Sequence, residues 1–225
     1  MTQLSTQTQT ALAAQEAWNH TPAAARVALL KPIAQHYALS DWLLDNVAHQ
    51  MIEELILPGP TGEANTLLWG GRGVIAICSD VDASAPSANS AFAAHIFTAL
   101  ATGNAVVIQT SIPVAKVFAS AIENVLPKGL FQLSDASLET LAANTDFAAY
   151  AFIGNATNET ALNRLLAKRG GALAQLISET DWDNCTLQTS QDYPWRFTTE
   201  TTLTVNTTAV GGNASLLELG VSNDH

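Results

Sequence analysis

Basic charge is scarce in this chain: 9 Lys and Arg face 20 Asp and Glu among 225 residues, for a formal net charge of -11. Nucleic-acid affinity needs clustered cations that neutralise phosphates, and only Lys168 and Arg169 are adjacent, so a nucleic-acid partner is excluded. Cysteine is nearly absent. Cys78 and Cys185 supply neither a disulfide framework nor four zinc ligands, which fits a reducing, cytoplasmic setting. Long apolar runs are missing too: stretches such as 91–101 fall well short of the roughly 20 residues of a spanning helix, so no membrane span is expected. The first 20 residues lack a basic region leading into an apolar core, so no secretory leader is expected. The N-x-[ST] triplets at Asn19, Asn155, Asn158, Asn184, Asn206 and Asn213 are discounted with it.

Paired metal ligands are also lacking. The histidines at 20, 36, 49, 95 and 225 form no HExxH pair, so no metal site is expected; His36 and His49 read as helix-surface groups and His95 as a helix residue facing polar neighbours. Cys185 has Asp181 and Asp183 beside it, which would raise its pKa and leave it inert rather than nucleophilic. The five tryptophans are scattered and read as packing anchors.

What the chain does have is apolar mass, 48% of its residues, enough for a sizeable core. Residues 1–57 read as a helical lead-in of three helices, with Thr21-Pro22 opening the second, Pro32 kinking or splitting it, and Ser40-Asp41 capping the third before Trp42. Pro58, Gly59, Pro60, Thr61, Gly62 and Glu63 begin a linker loop over 58–71, and Gly70-Gly71-Arg72-Gly73 reads as a tight turn into the next strand. Residues 72–184 then alternate five short apolar runs (73–78, 105–108, 130–133, 147–153 and 172–177) with helical stretches. That pattern predicts an α/β domain, a Rossmann-like parallel sheet buried on both faces. Residues 185–225 turn Thr- and Asn-rich, with a strand over 195–204 and an irregular tail. A nucleotide-binding sheet normally has a glycine-rich first turn, but the turn after Cys78 reads SDVDASAPSAN, glycine-free and carrying Asp80 and Asp82.

Four segments in order, 71–77 (GRGVIAI), 99–107 (ALATGNAVV), 126–132 (LPKGLFQ) and 151–155 (AFIGN), resemble the cofactor-binding half of the aldehyde dehydrogenases. The chemistry of that family does not carry over. Gln109 stands where a ribose-binding lysine is expected, Glu179-Thr180 runs into Asp181-Trp182 instead of a glycine pair, and no segment resembles the nucleophile motif. Two further segments, 57–66 (LPGPTGEANT) and 199–217 (TETTLTVNTTAVGGNASLL), resemble the C-terminal region of the long bacterial proline utilization A flavoproteins. One departure is Ala64, where relatives commonly carry arginine.

That resemblance implies a noncatalytic aldehyde-dehydrogenase-like domain of a bifunctional proline dehydrogenase and glutamate semialdehyde dehydrogenase. It would cover the cavity through which the semialdehyde, or its cyclic pyrroline form, passes between active sites. It implies no catalytic, cofactor-binding or metal residue in this chain, FAD and NAD being held by the parent enzyme, and it makes the catalytic domains the partner. Thr204, Val205, Asn206, Thr207, Thr208, Gly211, Gly212 and Asn213 would form the docking and lid element. Two rival readings are a diverged aldehyde dehydrogenase half that still binds NAD and a free-standing interaction domain.

Overall fold

The computed structural model describes residues 2–51, 54–60, 62–80, 86–122 and 124–206. Its largest feature is a five-stranded, wholly parallel sheet made of β3 (Val74–Ser79), β4 (Ala105–Gln109), β5 (Phe131–Ser134), β6 (Phe147–Ile153) and β7 (Gln175–Glu179), in the order β5-β4-β3-β6-β7. Each strand falls on one of the apolar runs. β3, β4 and β6 are buried along almost their whole length because neighbours cover both faces, so no polar alternation survives in their sequences. The fold is the α/β, Rossmann-like type expected.

Helix α4 (Pro86–Ala101) explains how the N-terminal helices join this sheet. Twelve of its residues are buried, and a helix apolar on all sides needs cover on all sides. One side packs on β3, β4 and β6; another is covered by α2 (Ala23–Ala34) and α3 (Ala38–Gln50). α1 (Gln3–Asn19) lies against β3, β4 and β5 and anchors there by Trp18 Nε1 donating to Leu100 O at 2.8 Å. The described residues of 1–51 and 70–199 therefore form one compact unit. Arg26 is buried inside that unit, donating to Ala101 O at 2.8 Å and to the carbonyls of Trp18, Asn19 and Thr21; burial lowers its pKa to about 10.

Helix boundaries follow packing more than cap chemistry. α3 starts at Ala38, before the expected Ser40-Asp41 cap; just ahead of it Tyr37 packs at a tilt against Phe118 of α5 (Pro113–Ile122), ring centroids 5.1 Å apart, and Phe118 in turn meets Phe97 of α4 edge-on at 5.3 Å. Pro22 is the N-cap of α2 rather than its first helical residue. Pro32 does not split α2, since the helix ends two residues later and little of the ladder remains to disrupt. The remaining helices, α6 (Leu138–Ala143) and α7 (Ala156–Leu166), pack on one another.

A second, smaller unit comprises the described parts of 52–69 and 200–225. It carries a three-stranded sheet in the order β1-β2-β8, with β1 (Glu54–Leu57) antiparallel to β2 (Glu63–Gly71), and β8 (Thr198–Asn206) on the far side. Residues 63–71, expected as loop, are thus strand. The prolines end before Glu63, and Gly70 and Gly71 continue β2 where a tight turn was expected; at Gly71 any Cβ would collide with the backbone of Gly103. The strand expected over 195–204 begins later, after a short 3-10 helix (Tyr193–Phe197).

Candidate functional site

Strand order reverses between β3 and β6, so the crevice beyond Ser79 and Ile153 is where a sheet of this type presents a ligand. Asp80 fills it. Its carboxylate accepts from the side-chain amides of Asn155, at 3.4 Å, and Asn158, and a side chain at Gly154 would collide with Asp80 Oδ1 and the Phe152 ring. Asn155 is itself the N-cap of α7, accepting from the Asn158 N–H at 3.0 Å. A carboxylate thus sits beside the helix N-terminus, where a pyrophosphate would need partial positive charge, and it is a poor electrostatic fit for a dinucleotide. Asp82 lies outside the described residues.

Gln109, where the aldehyde dehydrogenase resemblance expects a ribose lysine, is buried and bonded at both ends of its amide. Its Oε1 accepts from Ser79 N and its Nε2 donates to Ala136 O, both at 3.2 Å. Glu179 is also buried. Its two oxygens accept from the backbone N–H groups of Asp181 (2.9 Å), Leu187 (2.8 Å) and Gln188 (3.2 Å), so the carboxylate organises the 181–188 loop instead of facing a crevice. Cys185 belongs to that loop with a φ of 52°, and its thiol is pushed up to about 11 by burial first and then by Glu179, Asp181 and Asp183. Cys78 is fully buried in β3 and pushed up to about 12 by burial and Asp80.

His95 departs from the expected polar setting. It is fully buried on α4, its Nδ1 is 2.5 Å from the Tyr193 hydroxyl, and its ring lies edge-on to Phe197. Burial lowers its pKa to about 3, the Phe152 carbonyl pulling the other way, so it is a neutral packing group. His36 and His49 are both exposed, but only His49 is on a helix, His36 lying in the turn between α2 and α3 where a helix-surface position was expected. No three His, Cys, Asp or Glu residues converge on a possible metal site among the described residues.

Of the expected docking residues, Thr204, Val205 and Asn206 lie at the end of β8, all exposed; Thr207, Thr208, Gly211, Gly212 and Asn213 lie outside the described residues. Pro58, Gly59 and Pro60 follow β1, Gly62 and Glu63 open the way into β2, and Thr61 is not described. The small sheet exposes apolar side chains, with Ile56 at 79% and Leu203 at 53% of full exposure.

The motif 102–104 (TGN) proves structural. Gly103, at φ 94°, ends α4, and buried Asn104 bonds to Ala99 O, Thr102 Oγ1 and Phe197 O while accepting from Gly73 N.

No family model matches the chain. The Bifunctional protein PutA of Rhizobium meliloti is 29% identical over 167 residues, which are 74% of this chain and 12% of the relative. A crystal structure of a Bradyrhizobium japonicum proline utilization A (PutA) mutant superposes with a TM-score of 0.64 at 27% identity, over 79% of this chain and 22% of that one. This chain resembles the C-terminal, aldehyde-dehydrogenase-like region of PutA. The fold likeness extends past PutA to a NAD-dependent benzaldehyde dehydrogenase from Corynebacterium glutamicum, at 20% identity and a TM-score of 0.64, covering 78% of this chain and 45% of that one. The PutA-like chain therefore has the aldehyde dehydrogenase fold, and it spans about an eighth of the length of its PutA relative. No helix among the described residues is long and apolar enough to cross a membrane.

Proposed function

We propose that this PutA-related module is noncatalytic and serves as a lid in a proline-catabolic bifunctional enzyme, docking on the catalytic domains and covering the cavity that channels glutamate semialdehyde or its pyrroline form. The observation that carries the reading is the internal use of the polar groups that stand nearest the dehydrogenase positions among the described residues. Gln109 is spent on Ser79 and Ala136, Glu179 on three loop amides, and Asp80 on the amides beside the α7 N-terminus. Cys185 is held as a thiol at neutral pH. FAD and NAD would belong to the parent enzyme, in the cytoplasm, and this chain would bind neither.

Docking is assigned to β8, whose end at Thr204, Val205 and Asn206 is exposed and continues into the tail carrying Thr207, Thr208, Gly211, Gly212 and Asn213. A lid gains function by blocking escape of an intermediate, so its loss should spare each half-reaction and slow only the coupled one. The test combines the chain with the catalytic portion of a PutA and follows NADH formed from proline. The expected result is no turnover by the chain alone, and a shorter lag with less intermediate trapped from bulk solution when it is present. Semialdehyde oxidation by the isolated chain that disappears in Cys185→Ala, or a lag indifferent to its presence, would overturn the reading.

A further inference from the structure

At the opposite end of the sheet from the Asp80 crevice, a cavity of about 350 Å³ lies beside the N-terminal ends of β3 and β6. Two of the chain's nine cations, Arg72 and Arg169, line it together with one carboxylate, Asp146. In a chain of net charge -11 this is an unusual pairing, because neither guanidinium has an acidic partner among the described residues. The only ion pairs among the described residues join Lys31 to Asp41 and Asp45. Asp146 instead accepts from the Thr8 hydroxyl at 2.9 Å and the Gln9 amide at 3.4 Å.

The two arginines are held in different ways. Arg169 is fixed from behind: Nη1 donates to the carbonyls of Asn144 and Phe147, both at 2.9 Å, and to the Tyr150 hydroxyl at 3.2 Å, Nη2 donates to Ala172 O at 2.7 Å, and the guanidinium carbon stands 5.7 Å from the Tyr150 ring centre. All those acceptors are neutral, so its charge is positioned but not cancelled. Arg72 is half-buried and donates only from Nε, to Arg196 O at 2.8 Å; among the described residues no acceptor meets its Nη groups. A half-buried cation with an open planar fork is well suited to an anion that completes it. Its burial also depresses its pKa, the direction expected of a guanidinium lacking a counter-charge.

The geometry points to a binding site for a small organic carboxylate in this cavity, with Arg72 supplying the bidentate contact and Arg169 the fixed second charge. The volume is at the lower end of small-ligand sites, roughly 300–1,000 Å³, which suits a molecule of a few carbons. Leu173 at its rim is 97% exposed and gives an apolar stem a surface to lie on, while the polar residues Thr145 and Thr199 also line the cavity. Arginine forks match planar carboxylates, and the apolar rim favours an organic anion over a fully hydrated inorganic one.

The test is calorimetry of the full chain with glutarate, inorganic phosphate and uncharged dimethyl glutarate, paired with amide shifts at Thr145, Ala148 and Thr199. Expected are saturable glutarate binding that weakens with salt, a weaker response to phosphate, and none to the diester. Arg72→Gln should reduce glutarate affinity by about tenfold or more with the fold retained, as circular dichroism would show. Asp146→Asn, which removes the one repelling carboxylate, should tighten it. Arg169 is left intact because its bonds support the fold. No saturable response, tighter binding of phosphate than of glutarate, or affinity unchanged in Arg72→Gln would each overturn the proposal.

Discussion

The side-chain amide of Asn104 donates to the carbonyl of Phe197 at 3.0 Å, joining residues 93 positions apart and tying the end of α4 to the point where the chain enters β8. The same side chain donates to Ala99 O and Thr102 Oγ1 and accepts from Gly73 N, all while fully buried. Asn104→Ala should therefore destabilise the fold by about 2–4 kcal/mol, since it leaves several buried groups without partners. Thermal unfolding checks this, and hydrogen exchange should show faster opening around Gly73 and Thr198.

Glu179 should behave as a structural residue. Glu179→Ala strands three loop amides, those of Asp181, Leu187 and Gln188, and is expected to cost about 3 kcal/mol or more. Glu179→Gln keeps an acceptor and should cost about 1–2 kcal/mol. Denaturant unfolding measures both, and equal losses in the two variants would contradict the assignment.

His95 makes stability depend on acid. Its folded pKa, about 3, lies below the unfolded value of about 6.5, so the unfolded state binds the proton first. Its stabilising contribution is complete above that unfolded value and is lost as pH falls toward the folded one. Between those limits wild type should lose stability more steeply than His95→Gln, by up to about 1.4 kcal/mol per pH unit. Parallel stability-pH curves for the two proteins would show that His95 does not titrate in this way.

Neither thiol should react in the native state. Cys78 is fully buried and pushed up to about 12, and Cys185 is pushed up to about 11. Iodoacetamide at neutral pH should leave both unmodified within the lifetime of the folded protein and alkylate both in denaturant. Mass spectrometry reads the outcome, and rapid native labelling of Cys185 would reopen a nucleophilic role.

Leu203 and Val205 are exposed on β8 at 53% and 48%. Replacing both with Lys should leave the thermal unfolding of the parallel-sheet unit unchanged, because neither contributes to its core. If β8 docks on the catalytic domains, the same change should weaken association by about tenfold or more in a pull-down or titration. Unaltered association would move the docking surface elsewhere.

The parallel sheet was legible from the chain because its strands are covered on both faces: continuous Val, Ile, Ala and Phe runs are what such strands require, and all five runs became strands. Motifs built on local geometry were readable for a similar reason. The acidic, glycine-free turn at Asp80 already argued against a phosphate. β2 was not legible, because a mostly half-exposed strand beginning just past two prolines carries neither a buried run nor clear alternation, and its pairing with β1 exists only in three dimensions. The same holds for His95, Glu179 and Arg72. Whether such groups are buried, bonded or left without a counter-charge depends on residues far away in the chain, such as Tyr193 for His95 and Arg196 for Arg72. Sequence determined the layers, through short-range hydrophobic pattern. Tertiary structure alone decided the state of each polar group, because desolvation and partner geometry arise only once distant segments meet.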